Sequence, residues 1–478
     1  MLKWLKSLAL ERKEQTLFEY IDEDKTVRTV SYAQFHEDVI RLADMIQTGY
    51  GVGKHIGLLE NPGYIWWLYF FAIQCSGNVA VIYNYSLAVE DIVALIRLSD
   101  TTNVILGKEY EGYCGTIEKE CACQSSFVYP LSVIRSRVVD ESKLQTEDLD
   151  AGALILFSSG TSGGSKAVLL SMRNWLAPLI ELSGEPVDGK RVLILFPVYH
   201  VGACCILGYA MKSGYRICIA RQSKYLFSDI EIYLPDYIHG VPSMAEAIVK
   251  KKKRGMLFVD SLSKKPECFI SAGTALPSET VKLLKDHNID MASQYGMTEC
   301  GNVTDIASGT SEYVGRVSRH NQVRIIDNEI CVSGANVMLG YYNNTTETKE
   351  VMDEQGWLHT GDLGYIDADG FLYLTGRKKN IIILSNGENV SPEEIEDRLL
   401  QKKEIEEIVV YEQESVIAAQ VYYICQDDAE KMGIEKRIEE YVQEYNKSVP
   451  LYKQIRKLGF RETPFEKTGS GKIKRYLL

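Results

Sequence analysis

A chain of 478 residues is too long for one ordinary hydrophobic core and points to two or more domains. With 45% apolar, 10% aromatic and 25% charged residues its composition is globular, which excludes wholesale disorder, a collagen helix and a coiled coil. Acidic side chains outnumber basic ones 65 to 53, and a formal charge of -12 repels phosphate backbones over most of the surface, so no nucleic-acid partner is expected.

Residues 61–89 carry no charged side chain. The strongly apolar part, 64–73, is about half of the roughly 20 residues needed to span hydrocarbon. It is flanked by Pro62, Gly63, Gln74, Gly77 and Asn78, so a buried helix followed by a strand over 79–83 is expected, with no integral membrane segment. Apolar runs at 153–157, 192–196, 217–220 and 268–271 are mostly trailed by turn formers, as in α/β sheets whose strand ends carry ligand loops. The basic run from Lys250 to Arg254 follows an apolar stretch and reads as a solvated helix end.

From about residue 322 the texture changes. Runs at 323–326 and 329–332 flank the turn Asp327-Asn328, and the turn 367–370 precedes the run 371–374, which together predict hairpins in a small antiparallel or barrel-like subdomain. Near Gly376-Arg377-Lys378-Lys379 a strand ends in charge and marks a boundary. Beyond it, Ser391-Pro392-Glu393-Glu394 predicts a helix start with a serine cap and a capping-box glutamate. Strands near 408–411 and 416–423 and an amphipathic helix over about 434–445 complete the unit. The fold class expected is α/β, with a large N-terminal domain of parallel sheets plus the barrel-like subdomain over 1–377, and a small α+β domain over 378–478.

Eleven scattered cysteines, odd in number, and the lack of an apolar leader favour a reducing cytoplasm over a secreted disulfide framework. Cys121 with Cys123, and Cys204 with Cys205, lack the spacing of a zinc site, so no metal ligation by thiols is expected.

Four segments carry chemistry. In LILFSSGTSGGSKAVLLS (154–171) a strand runs into a loop of serines, a threonine, glycines and Lys166, the composition needed to wrap phosphate oxygens. It is not a Walker loop, because Ser165 and Ala167 stand where that pattern needs glycine and a hydroxyl. A flexible glycine-serine turn would also explain it taken alone. Next stands Gln294-Tyr295-Gly296-Met297-Thr298-Glu299, preceded by Ser271-Ala272-Gly273-Thr274. A tyrosine can cover a purine, a threonine can bond a phosphate and one carboxylate can hold Mg²⁺, although a buried tyrosine and a surface glutamate would look the same. Third is GWLHTGD (356–362), leading to Gly376-Arg377, where an aspartate can accept ribose hydroxyl protons and an arginine can bridge ribose and phosphate. The last is KTGSGKIKR (467–475), otherwise a solvated tail.

In this order the four segments resemble the adenylate-forming superfamily of acyl-CoA synthetases, luciferases and nonribosomal-peptide adenylation domains, over roughly residues 154–475. The resemblance implies that ATP and a carboxylate give an acyl-adenylate and pyrophosphate, after which a thiol displaces AMP. It implies that Ser158, Ser159, Gly160, Thr161, Ser162, Gly163 and Lys166 hold the β- and γ-phosphates, and that Gly273, Thr274, Tyr295 and Gly296 frame adenine. Thr298 would touch the α-phosphate, Glu299 would bind Mg²⁺, and Asp362 with Arg377 would hold the ribose. Lys472 resembles the family's mobile catalytic lysine, a cation between two anionic reactants. Lys379 matches the hinge about which the small domain swivels, opening a phosphopantetheine tunnel beside residues 385–388.

His200 and Gly202 match a segment lining the acid pocket, though a core histidine and a packed helix would use such residues too. This stretch lacks the aspartate of amino-acid-activating relatives. GRKKNIIILSNGENVSPEEIE (376–396) is similar to that of bacterial fatty-acyl-CoA ligases, which implies a cytoplasmic acyl-CoA synthetase for a fatty or other apolar acid. The alternatives are loading of an acyl carrier protein and a nucleotide-binding regulator without turnover. The family's proline and glycine in the phosphate loop are replaced by Ser165 and Ala167.

Overall fold

The computed structural model describes all residues except 23, 145–147, 160–163, 181–186, 188, 254, 273–275, 277, 309–312, 385–387, 426–427, 468–472 and 478. Two large sheets dominate it. The first has seven strands in the order Gly340–Tyr341, Ser165–Ser171, Gly152–Ser159, Val79–Ile82, His55–Leu59, Asn103–Leu106, Gln124–Phe127, and all but the first two are parallel. The second has eight, in the order Ala307–Ser308, Asp290–Gln294, Cys268–Ala272, Tyr237–Gly240, Arg191–Ile194, Arg216–Ile219, Thr16–Ile21, Val27–Ser31, parallel except at its two edges.

One core fills the space between the sheets. Leu58, Ile82 and Leu156 from the first meet Phe18, Ile194 and Ile217 from the second, with the helices Tyr32–Tyr50, Tyr64–Cys75 and Val201–Ser213 between them. A helix apolar on every side needs such a place, and all but Ile65 of the residues in Tyr64–Cys75 are buried. The helix has 12 residues, and no described helix is long and apolar enough to cross a membrane. The outer face of each sheet has its own helix-covered core, so the molecule is layered helix, sheet, helix, sheet, helix. Each buried strand therefore reads as a continuous apolar run rather than an alternating one.

The strands Asn321–Ile326, Glu329–Gly334, Leu358–Ile366 and Leu372–Arg377 form an antiparallel sheet. The expected turn at Asp327-Asn328 is made with φ of 49° and 64°, the paired left-handed geometry that two-residue hairpins favour. Farther on, Glu407–Gln413, Val416–Tyr422 and Ile455–Arg461 form a small mixed sheet packed with the helices Pro392–Leu399 and Asp428–Lys447 around a separate core.

Local expectations need correction in two places. Ser391 precedes the Pro392–Leu399 helix, but its hydroxyl does not cap it: it donates to Thr375 O at 2.9 Å, and Glu394, in the capping-box position, pairs with Lys453 Nζ at 2.8 Å instead. The strand expected over 192–196 stops at Ile194, three residues before Pro197, which has no N–H to continue a ladder.

Candidate active site

Open α/β sheets bind ligands at the carboxyl ends of their strands, and two candidate segments stand there: Ser158 and Ser159 end one strand of the first sheet, and Tyr295 follows the strand Asp290–Gln294 of the second. Strands Gly152–Ser159 and Ser165–Ser171 pair as an antiparallel ribbon, with Ser158 opposite Lys166 and Ser159 opposite Ser165. The tip, with Gly160, Thr161, Ser162 and Gly163, lies outside the described residues. From the flank of this ribbon the Ser158 hydroxyl donates to Glu299 Oε1 at 3.1 Å, across 141 residues of sequence.

Glu299 sits in a turn following the short strand Gly296–Met297, which pairs with Gly301–Asn302. That turn demands glycine, because a Cβ on Gly296 would lie 2.2 Å from Gly301 O. Thr298 is half-buried beside it. Glu299 is buried, and its Oε1 also accepts from the Tyr341 hydroxyl at 3.1 Å. Among the described residues Oε2 makes no hydrogen bond, which leaves a hard oxygen donor beside Ser158, as a Mg²⁺ ligand would require. Burial, and then the Glu299 charge, push the Tyr341 phenol well above its ordinary pKa, so it remains a donor.

Lys166 points to a different partner. Its Nζ lies 3.0 Å from Glu347 Oε2 and 4.7 Å from the centroid of the Tyr341 ring. Tyr341 reaches this position because Gly340–Tyr341 adds to the edge of the ribbon, and Asn344 then caps the helix Thr345–Val351 that carries Glu347. Neither Tyr341 nor Glu347 was singled out by motif. The available signal was the pair of asparagines, Asn343 and Asn344, setting a turn and a helix start directly after an apolar stretch.

On the other side of Glu299, Tyr295 and Asp362 meet. The Tyr295 hydroxyl donates to Asp362 Oδ2 at 2.8 Å, and Arg377 Nε donates to Oδ1 at 2.6 Å. Each carboxylate oxygen retains acceptor capacity for a further donor. Register explains the arrangement, since Asp362 and Arg377 face each other across the antiparallel pair. Burial, followed by the Asp362 charge, raises the Tyr295 pKa well above its usual value.

Glu329 supports this group from behind. Its Oε1 accepts from Gly361 N at 3.0 Å and its Oε2 pairs with Lys378 Nζ at 2.8 Å, so one buried carboxylate fixes the residues adjoining both Asp362 and Arg377. Glu329, Cys331 and His359 also bring their ligand atoms within 4.8 Å of one another, a cluster that sequence spacing did not suggest. There Glu329 already accepts from Gly361 and is paired with Lys378 and His359.

His200 caps the Val201–Ser213 helix by position, half-buried, with its ring 4.8 Å from that of Tyr199. A Cβ on Gly202 would meet nothing nearer than Phe196 Cδ1 at 4.0 Å, so space lies before it. Ala203, Cys204 and Cys205 are packed into the core and leave no such room. Lys379 lies in the turn Lys378–Asn380. Gly273, Thr274 and Lys472 fall outside the described residues, as does the loop 385–387; Lys467 and Ile473, which flank the segment containing Lys472, pair as an isolated bridge.

Comparison with known proteins agrees with this architecture. The family model for AMP-binding enzymes matches residues 9–342, and that for the AMP-binding enzyme C-terminal domain matches 379–477. The chain is 28% identical over 423 residues to the 2-succinylbenzoate–CoA ligase of Bacillus cereus (strain AH820), covering 84% of this chain and 83% of the relative. The solved O-succinylbenzoate coenzyme A synthetase of Bacillus subtilis, in complex with AMP, superposes with a TM-score of 0.80 at 21% identity, over 99% of this chain and 97% of that one. An anthranilate CoA ligase in complex with anthranoyl-AMP gives 0.84 at 19% identity, over 100% and 96%. A fold of layered parallel sheets with a smaller C-terminal unit, a family model spanning most of the chain and relatives that are CoA ligases agree: the chain belongs to the AMP-binding enzyme family, in the adenylate-forming superfamily of acyl-CoA synthetases.

Proposed function

We propose that the protein activates a carboxylic acid with ATP as an acyl-adenylate and then transfers the acyl group to the thiol of coenzyme A. In the first step a carboxylate oxygen attacks the α-phosphorus and the bond to pyrophosphate breaks. In the second the thiolate sulfur attacks the acyl carbon and AMP leaves. Both steps suit a site built for positioning and charge compensation, with no protein nucleophile.

Ser158 and Lys166, with Ser159 and the Gly160 to Gly163 tip, hold the β- and γ-phosphates; Thr298 contacts the α-phosphate; Asp362 and Arg377 take the ribose; Tyr295 and Gly296, with Gly273 and Thr274, frame adenine. Glu299 holds Mg²⁺, whose chemistry is to neutralise charge on the phosphate oxygens. Lys472 places a cation between carboxylate and α-phosphate, and a mobile domain over 378–478, pivoting at Lys379, exchanges it for the thiol tunnel. The observation that supports this most is the hydrogen bond from Ser158 to Glu299, which joins the phosphate ribbon of one sheet to the acidic turn of the other.

The acid is proposed to be aromatic or arylalkyl. The relatives carry the name of 2-succinylbenzoate, an aromatic acid, and give the fatty acid expected from the 376–396 segment no particular support. The test is pyrophosphate release and thioester formation with 2-succinylbenzoate, benzoate, 2-aminobenzoate and decanoate, with and without CoA. Adenylate formation that ignores CoA but loads a pantetheinylated carrier would replace CoA as the acceptor. Lys472→Ala is expected to slow adenylate formation by about a hundredfold or more, with little effect on thioester formation from a supplied acyl-adenylate. Equal loss in both steps would contradict the role of Lys472.

A further inference from the structure

The segment that carries Lys472 ends in Ile473-Lys474-Arg475, and the arginine has no part in the site described above. Residues 468–472 lie outside the described residues, but both flanks are held. Lys467 and Ile473 face each other as an antiparallel bridge, and Lys474 N donates to Glu466 O at 2.8 Å, so the two flanks run side by side. The outgoing flank is fixed by Glu407: its Oε2 accepts from Phe465 N at 2.7 Å, and its Oε1 pairs with Lys467 Nζ at 2.7 Å.

The return flank is fixed by Arg475. Glu407–Gln413 is an edge strand of the small mixed sheet, so alternate residues turn their backbone N–H and C=O away from the ladder. Val410 is one of them. Its N–H donates to Glu396 Oε1 at 2.6 Å and its C=O accepts from Arg475 Nη1 at 3.2 Å, while Arg475 Nη2 pairs with Glu396 Oε2. One arginine fork thus joins a helix, an edge strand and the chain three residues beyond Lys472. Glu396 is only 6% exposed, and burial raises its pKa to about 7 against the opposing effect of the Arg475 charge. Without the arginine this buried carboxylate would take a proton, and the flank would lose its attachment. Glu393, on the same face of that helix, lies 3.9 Å from Arg475 and accepts from Asn380 Nδ2 at 2.5 Å, in the turn that contains Lys379.

We propose that Arg475 is a positioning residue for Lys472: anchored on Glu396 and Val410, it sets where the Lys472 ammonium can stand when the adenylate forms. This rests on the role given to Lys472 above and adds what holds that lysine. A lysine stem is long and flexible, and a misplacement of about 1 Å at a reacting centre costs about a hundredfold in rate. An anchor on the flank removes backbone freedom that the stem cannot remove by itself. On the same assignment the thioester step does not use the Lys472 cation, so the anchor matters to one step of the two.

The test uses the full-length protein at about pH 8, above the Glu396 pKa, with ATP, Mg²⁺ and whichever acid of the panel above releases most pyrophosphate. Arg475→Ala is expected to lower kcat for adenylate formation by about thirtyfold or more, while KM for ATP and the rate of thioester formation from a supplied acyl-adenylate each stay within about threefold. Arg475→Lys, whose single ammonium cannot make both contacts, is expected to recover only part of the loss. In a Lys472→Ala background the Arg475→Ala change is expected to cost less than about twofold further, because it acts through the missing lysine. A role confined to holding the small domain together would slow both steps alike, or would keep its full cost in that background, and either result overturns the proposal. If Arg475→Ala fails to fold, Glu396→Gln, which keeps an acceptor for Val410 N and removes the charge, is expected to slow adenylate formation alone by about threefold or more; an unchanged rate overturns the proposal. Hydrogen exchange over residues 464–476, followed by mass spectrometry, is expected to quicken in Arg475→Ala. Quickened exchange in a protein that releases no pyrophosphate with any acid would retain the anchor and reject acid activation. Pyrophosphate release that needs Lys472 and is indifferent to Arg475 would do the reverse.

Discussion

A carboxylate that is to hold a divalent cation has to be aimed before the cation arrives, and in the proposed role of Glu299 Tyr341 contributes to that. Its hydroxyl donates to Oε1 while its ring lies beneath the Lys166 ammonium, so one side chain touches both the anionic and the cationic parts of the phosphate site. Tyr341→Phe keeps the ring and removes the hydrogen bond. A hydrogen bond to a charged group contributes about 1.5–3 kcal/mol, so pyrophosphate release at limiting Mg²⁺ is expected to fall by about tenfold. Saturating Mg²⁺ should restore most of the rate, and a Mg²⁺ titration of both proteins checks this. Single residues of this kind were the least legible in the sequence. Ser158, Glu299, Tyr295 and Asp362 are candidates because each stands in a recognisable segment, while Tyr341, Glu347 and Glu329 owe their place beside them to neighbours far away in the chain.

Elements were far more legible, because most depend on local pattern. The hairpin at Asp327-Asn328, the buried helix Tyr64–Cys75 and five of the seven strands in the two small sheets lie close to where apolar runs and turn formers put them, whereas Leu358–Ile366 and Ile455–Arg461 were not anticipated. The Ser391 cap is not made because donation to Thr375 O orients the hydroxyl toward the strand Leu372–Arg377, a tertiary contact that no local rule can anticipate. The turn between Gly296 and Asn302 is the element on which the site depends most. Gly296→Ala would drive a methyl group into Gly301 O and force the two short strands apart. Thr298 and Glu299 ride on that turn, so kcat/KM for adenylate formation is expected to fall by about a hundredfold or more. Thermal unfolding should shift by only a few degrees, since the clash is local; calorimetry beside the kinetic assay separates the two effects.

At the scale of the whole molecule, stability should depend on pH through Glu60, which follows the strand His55–Leu59. Burial, only partly offset by a hydrogen bond from Asn61, raises its pKa from 4.5 to about 7. Between those values the folded protein holds a proton that the unfolded chain has released, so this contribution weakens stability as pH rises from about 4.5 to 7, then levels off. Its full size is at most about 3 kcal/mol. Glu60→Gln carries no such proton and should flatten that part of the curve, which denaturant unfolding at pH 5, 6, 7 and 8 would reveal. The layered α/β plan was legible as a whole from its recurring strand and helix patterns. The mutual placement of the two large sheets was not, because the bond from Ser158 to Glu299 spans 141 residues and no periodicity records it.

The ion pair between Lys166 and Glu347 has a consequence for how nucleotide enters. Under the proposed role of Lys166, the cation for the phosphates already has an anionic companion, so an incoming triphosphate would trade places with a tethered carboxylate instead of filling a bare positive hole. On that proposal arrival and departure become counterion exchange: the same carboxylate that competes with ATP on the way in would reclaim the lysine and help expel pyrophosphate on the way out.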